Sequence, residues 1–223
     1  MTALYKDSTT FDFDQVVYDV SIKFGVSCVA MDKIHKKPAT PADDIVCSKL
    51  HLKNPQLKSL HQLNGEFFKQ HLHPGEEYNT MLGKLSACLN YSVDPERLPS
   101  AATTRPFNGG KVISLLEWIQ GVFMDSGTRV LFGDQVQKLD PDLVDKFLRF
   151  DDDNWKLWYK WPGAGEMYAA KAQVIKTLQD YLCLPHHERP GASHLVQVIE
   201  SSQRALGIPL EDIAANLAMM YWV

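Results

Sequence analysis

Residues 209–223 have the sequence Pro-Leu-Glu-Asp-Ile-Ala-Ala-Asn-Leu-Ala-Met-Met-Tyr-Trp-Val. The leading proline, followed by Glu211 and Asp212, predicts that a helix begins here, because proline and acidic side chains both suit the amino end of a helix. From Ile213 onward, apolar residues lie all around the predicted helix. Such a helix must be covered on every side, so we expect it at the centre of a large core. We also expect further protein after Val223.

Apolar residues three and four positions apart continue this helical pattern through most of the chain. The pattern predicts about eight helices, at 11–24, 56–72, 81–89, 111–132, 140–150, 166–182, 193–206 and from 209 onward. Asp140 and Pro141 are read as a cap and a first helical residue. Gly25, Gly133 and Gly207 follow helical stripes, where a left-handed residue ends a helix. The alternation typical of strands is nearly absent, so we predict a mainly α fold with low β content.

The composition is that of a globular protein: 223 residues, 45% hydrophobic and 22% charged. Lysine and arginine total 23 against 27 acidic residues, which argues against a nucleic-acid partner. No apolar run is long enough to cross a membrane. We interpret residues 1–223 as an incomplete single domain, with loops or poorly ordered chain at 1–10 and 35–48. The four cysteines are expected to be reduced and mostly buried.

The residue types identify neither a catalytic group nor a metal site. His71, His73, Glu76 and Glu77 lie close together in sequence, but Pro74 and Gly75 interrupt the segment. Residues two apart on a helix point to different faces. We therefore interpret this segment as a solvated helix end.

An aromatic cluster, Trp155, Trp158, Tyr159 and Trp161, precedes a Pro-Gly pair. Aromatic rings at such a turn suit an apolar pocket or a membrane interface. Packing beneath a loop is the third interpretation, and the sequence leaves all three open.

The order of these elements resembles the cytochrome P450 fold. The predicted helix at 111–134 ends in the pair Phe132-Gly133, as helix E of that family commonly does. The pair Tyr221-Trp222 is similar to a pair that precedes the kink of helix I in fungal members near the sterol 7α-hydroxylase and prostacyclin synthase branch. The remaining correspondences are the B–C region at 11–25, helix C at 60–72, helix F at 140–147, the F–G loop at 155–162, helix G at 169–184, helix H at 195–208 and the start of helix I at 210–222.

The resemblance implies part of the distal pocket of a haem-thiolate monooxygenase that hydroxylates an apolar, sterol- or terpenoid-like substrate. It implies haem and an NADPH-dependent reductase for the full-length parent, on the cytoplasmic side and at the endoplasmic reticulum membrane. The candidate substrate-binding residues are Phe24, Trp155, Met219, Met220 and Trp222.

The family's Glu-x-x-Arg pair, its haem-cysteine loop and the Trp-x-x-x-Arg of helix C are not found in this sequence. A thiolate ligand is what allows such a haem to cleave dioxygen. We therefore expect this chain alone to be inactive. The alternative is a non-catalytic all-α interaction protein that buries its C-terminal helix against a partner.

Overall fold

A computed structural model describes residues 13–36, 58–93, 103–107, 110–159 and 161–222. The helices are α1 (Phe13–Phe24), α2 (Cys28–Lys36), α3 (Leu60–Leu72), α4 (Glu76–Ser92), α5 (Leu115–Phe132), α6 (Gln135–Leu139), α7 (Leu143–Asp153), α8 (Gly165–Cys183), α9 (His194–Ala205) and α10 (Leu210–Trp222). Strands β1 (Thr103–Phe107) and β2 (Gly110–Ile113) form an antiparallel pair. The mainly α prediction is confirmed.

The strand pair corrects the predicted start of the long helix at 111. Lys111 to Ile113 lie in β2, and the helix begins at Leu115. Val112 and Ile113 are β-branched, and such residues favour the extended strand. Thr103 pairs with Ile113, so two β-branched residues lie opposite each other.

The predicted loops at 1–10 and 37–48 lie outside the described residues, whereas His35 and Lys36 form the end of α2. Helices α2 and α6 are too short for periodicity to predict them. No helix within the described ranges combines the length and the apolar character needed to cross a membrane.

Asp140 does not begin a helix as predicted. It ends α6, and α7 begins at Leu143. The Asp140 carboxylate accepts hydrogen bonds from Lys146 Nζ and Thr177 Oγ1, each at 2.6 Å. The same carboxylate also accepts a hydrogen bond from the amide of Asp142 at 3.2 Å, so the predicted capping bond is present beside the charge-assisted ties to α7 and α8.

The three predicted glycine stops are confirmed. Gly25, Gly133 and Gly207 all have positive φ angles. At Gly133 a second constraint applies, because a Cβ atom there would lie 2.4 Å from the carbonyl oxygen of Pro190. Only glycine lets the end of α5 approach the loop before α9 so closely.

Helix α10 occupies the centre of the bundle, as its apolar character predicts. Ile213, Ala214 and Leu217 are fully buried. The most extensive helix–helix contact joins α10 to α8, and α10 also packs on α1 and α9. The short side chains of Ala214 and Ala218 permit this close packing.

Candidate functional site

A cavity of about 900 Å³ lies between α1, α2, α3, α9 and α10, with one residue each from α4 and α5 completing its wall. Ligand cavities in proteins usually have volumes of about 300–1,000 Å³, so this one is large. It borders α10, where that helix leaves the tightly packed core: Ala218 is buried, whereas Met219 and Met220 are half-buried.

The wall of the cavity is predominantly apolar. The apolar residues of the wall are Val17, Met31, Ile34, Phe68, Leu72, Met81, Leu131, Leu195, Ile199, Met219 and Met220. Four of them are methionines, whose flexible, polarisable side chains adapt to ligands of different shape. The wall is therefore suited to an apolar molecule rather than to a charged one.

Polar side chains occupy the part of the wall nearest to solvent. Glu66 contacts Lys69 at 3.4 Å and Lys58 at 3.7 Å, and all three side chains are at least one-third exposed. The rings of His35 and His61 stack beside them with their centroids 4.1 Å apart. These groups give the cavity a polar rim.

Three polar residues of the wall, Ser21, Asn64 and Asn216, are buried or half-buried and lie outside this rim. Ser21 Oγ donates to the carbonyl of Val17 at 2.8 Å. Asn216, on α10, is 9% exposed. Asn64, on α3, has a buried Oδ1 atom without a hydrogen-bond partner among the described residues. A buried acceptor without a partner costs about 1–3 kcal/mol. A ligand hydroxyl group that reached Asn64 would remove this cost.

The structure brings two of the five predicted substrate-binding residues to the cavity, Met219 and Met220. Phe24 is buried elsewhere in the core, where it packs edge-on against Phe150 with ring centroids 5.5 Å apart. Trp155 does not line the cavity and is 42% exposed. The side chain of Trp222 lies outside the described residues.

The aromatic cluster of Trp155, Trp158, Tyr159 and Trp161 lies at the surface of the protein. Trp155 packs edge-on against Trp161, with ring centroids 5.3 Å apart. Lys23 lies over the ring of Trp158, its Nζ atom 4.3 Å from the centroid. The tryptophans of the cluster are about 40–50% exposed, so they are neither buried beneath a loop nor part of the cavity wall.

Sequence reasoning missed the cavity face of α3. His61, Asn64, Gly65, Phe68 and Leu72 all line the cavity. Their spacing of three and four residues places them on one helix face, beside the buried stripe that packs in the core. This second face mixes polar and apolar residues, so a search for a purely apolar stripe does not detect it.

The described cysteines do not provide a haem ligand at the cavity. Cys28 and Cys183 are exposed, which corrects the expectation of mostly buried thiols, and Cys88 is half-buried on α4. None of the three lines the cavity, and Cys47 lies outside the described residues. Burial raises the pKa of Cys88, which favours the thiol over the thiolate that haem requires. These residues therefore do not fit thiolate ligation of haem.

No family model, curated protein or solved structure matches this chain. The cavity and the order of the helices are therefore the observations that bear on function.

Proposed function

We propose that this chain binds an apolar small molecule of the sterol or terpenoid class, as the substrate-binding side of a haem-thiolate monooxygenase of the cytochrome P450 type. The observation that carries the proposal is the cavity of about 900 Å³, whose exposed lining is predominantly apolar although polar side chains contribute to it. Binding sites for such molecules have this composition, in which burial provides affinity and a few polar groups fix the orientation.

The side chains suggest how the ligand is oriented. The apolar body contacts Leu195, Ile199 and Met219, which line the cavity from α9 and α10. A hydroxyl group donates to the buried Oδ1 of Asn64, which has no partner among the described residues. The polar rim at Lys58 and Glu66 lies where a more polar end of the ligand meets solvent.

The order of the helices supports the choice of enzyme class. In the resemblance, α3 corresponds to helix C, α8 to helix G and α10 to the start of the central helix I. The cavity beside Met219 then corresponds to part of the distal pocket. Haem, its cysteine ligand, a reductase and the endoplasmic reticulum membrane belong to the same proposal for the whole enzyme. Since no described cysteine reaches the cavity, we derive no oxidation step from these residues and expect ligand binding without catalysis.

The alternative function, an interaction protein that buries its last helix against a partner, has less support. Residues Ile213 to Ala218 are already covered by helices of the same chain. Such a partner would contact only the last turn of α10.

A fluorescent sterol, dehydroergosterol, tests the proposed binding by titration of the purified chain. Gly65 lines the cavity, and a Cβ atom added there meets nothing within 4 Å. The substitution Gly65→Trp should place an indole across the cavity and weaken binding at least ten-fold, or about 1.4 kcal/mol. Gly83→Trp is the matched control, because Gly83 is also helical and unobstructed but lies outside the cavity wall.

We expect saturable binding to the wild-type chain and to Gly83→Trp. Equal affinity of the two tryptophan variants, or no binding to the wild-type chain, would overturn the proposal. Haem added to the chain should give no thiolate-type Soret band in the reduced carbon monoxide complex. Such a band in a Cys47→Ser variant, which keeps only the described cysteines, would contradict the conclusion that the described residues lack the ligand.

A further inference from the structure

Three metal-ligating side chains converge where α3, α4 and α9 meet. His71 lies in the last turn of α3, Glu77 in the first turn of α4, and His194 is the first residue of α9. His71 is fully buried. The interpretation of this segment as a solvated helix end is therefore wrong for His71, because α9, from a distant part of the sequence, covers it.

The hydrogen bonds of His71 define which of its ring nitrogens is available. Nδ1 lies 2.7 Å from the carbonyl oxygen of Phe67. A carbonyl can only accept, so Nδ1 carries the proton and donates it to Phe67. In the neutral ring, Nε2 therefore has a free lone pair. That lone pair faces Nδ1 of His194, which is 2.9 Å away.

Glu77 completes the group. One of its carboxylate oxygens and one ring nitrogen from each histidine all lie within 4.8 Å of one another. Around a tetrahedral zinc ion, nitrogen ligands about 2.0–2.1 Å from the metal lie about 3.3 Å apart. To admit an ion, the two nitrogens need to separate by about 0.4 Å, both rings need to turn so that their lone pairs point at the ion, and the Glu77 oxygen needs to approach by up to about 1.5 Å.

The surroundings of the three residues resemble those of a metal centre. A metal-binding histidine usually donates its second ring nitrogen to a carboxylate or a backbone carbonyl, as His71 does to Phe67. The start of α9 is held in place by Ser193, whose amide donates to the carbonyl of Leu131 at 2.8 Å and whose hydroxyl caps the amide of Val196. His71 is therefore held by its own hydrogen bond to Phe67, and His194 follows directly after the anchored Ser193.

We propose that His71, Glu77 and His194 bind a divalent transition-metal ion, with Zn²⁺ as the best fit. Two imidazoles and one carboxylate are a ligand set that zinc commonly has, with a fourth position left for water. Glu77 and His194 are only half-buried, so an ion and a water molecule can reach the site from solvent. The bound ion cross-links α3, α4 and α9, all of which contribute to the cavity wall. The proposal does not depend on the identity of the cavity ligand.

Titration calorimetry of the chelator-treated full chain with ZnCl₂ tests the site, with Co²⁺ absorption as a second readout of tetrahedral nitrogen and oxygen coordination. We expect one Zn²⁺ per chain in the wild-type protein. The variants His194→Gln and Glu77→Gln should each lower the affinity at least about ten-fold. His73→Gln is the control, because His73 is exposed and lies two residues from His71 without belonging to the group.

Thermal unfolding separates loss of the site from loss of the fold. Zn²⁺ should raise the midpoint of the wild-type chain and of His73→Gln but not that of Glu77→Gln, whose midpoint without metal should match the wild type. Zn²⁺ binding that is unaffected by both Glu77→Gln and His194→Gln would overturn the proposal, as would the absence of binding to the wild-type chain. In either case the two histidines form only a hydrogen-bonded pair. Dehydroergosterol binding measured with a chelator present reports on the cavity independently.

Discussion

The substitution Gly133→Ala tests how closely the end of α5 packs against the loop before α9, because it adds a single methyl group at the contact. Gly133 has φ +73° and ψ −174°, and its amide donates to the carbonyl of Arg129 at 2.9 Å. A Cβ atom at this position would lie 2.4 Å from the carbonyl oxygen of Pro190 and 3.1 Å from the carbonyl carbon of Gly191. The substitution Gly133→Ala therefore introduces both a forbidden backbone conformation and a contact with backbone atoms.

Each effect has a magnitude. Residues other than glycine in this region of φ and ψ cost about 1–3 kcal/mol. Forcing an additional carbon into a packed site typically costs a further 1–3 kcal/mol or so. A central value of about 4 kcal/mol is a large part of the roughly 5–15 kcal/mol that stabilises a typical folded protein. For a chain of this length, about 4 kcal/mol lowers the melting temperature by about 8–16 °C.

Gly163→Ala is the matched control. Gly163 also has a positive φ, +87°, but a Cβ atom there meets nothing within 4 Å. The free energy of unfolding of Gly163→Ala should therefore fall only by the amount needed to hold alanine in a left-handed backbone conformation, about 1–2 kcal/mol. Far-UV circular dichroism melts of both variants and the wild type compare the two losses, and a loss for Gly133→Ala above about 3 kcal/mol exceeds backbone strain and belongs to the contact with Pro190.

We expect Gly133→Ala to melt well below Gly163→Ala. Coinciding melting curves would refute the reasoning, because they would mean that the contact with Pro190 contributes nothing beyond the backbone strain. A partial result is also informative, since urea unfolding of Gly133→Ala with an unchanged m-value assigns the whole loss to the native state.

Two further predictions concern the buried polar groups beside α8 and α9. Glu200 is fully buried and accepts hydrogen bonds from Arg189 at 2.7 and 3.0 Å and from Arg204 at 2.8 Å. Glu200→Gln should therefore cost about 3–5 kcal/mol in urea unfolding, because it leaves the buried guanidinium of Arg189 without a counter-charge. A loss below about 1 kcal/mol for Glu200→Gln would contradict the first expectation. Burial raises the pKa of Tyr181 from 10.0 to about 12. The unfolded chain therefore loses the phenolic proton of Tyr181 at a lower pH than the folded chain does. The free energy of unfolding should fall by up to about 3 kcal/mol as the pH rises from 10 through 12. Tyr181→Phe should lack this part of the alkaline loss, and identical pH dependences of the two urea midpoints would show that Tyr181 is not its source.

The pattern of apolar residues was sufficient to predict eight of the ten α-helices in the described residues and the central place of α10, but not the short helices α2 and α6. Spacings of three and four residues are local, and a helix without a polar face has no stable position except one covered on all sides. The stops at Gly25, Gly133 and Gly207 were equally predictable, because a helix often ends at a residue with positive φ and glycine adopts that conformation most readily. Asp140 shows the limit of this reasoning, since its local pattern indicated the capping bond from the amide of Asp142 but not the hydrogen bond from Thr177 on α8.

The sequence by itself therefore determined the helical class, the helix stops and the burial of α10, since each depends on neighbours within a few residues. Only the tertiary structure decided the cavity and the histidine pair. His71 and His194 are 123 residues apart, yet their nitrogens lie 2.9 Å from each other. The face of α3 with His61 and Asn64 becomes a cavity wall only because α2 and α10 stand opposite it. Such pairings depend on how whole helices pack, which no local spacing of residues encodes.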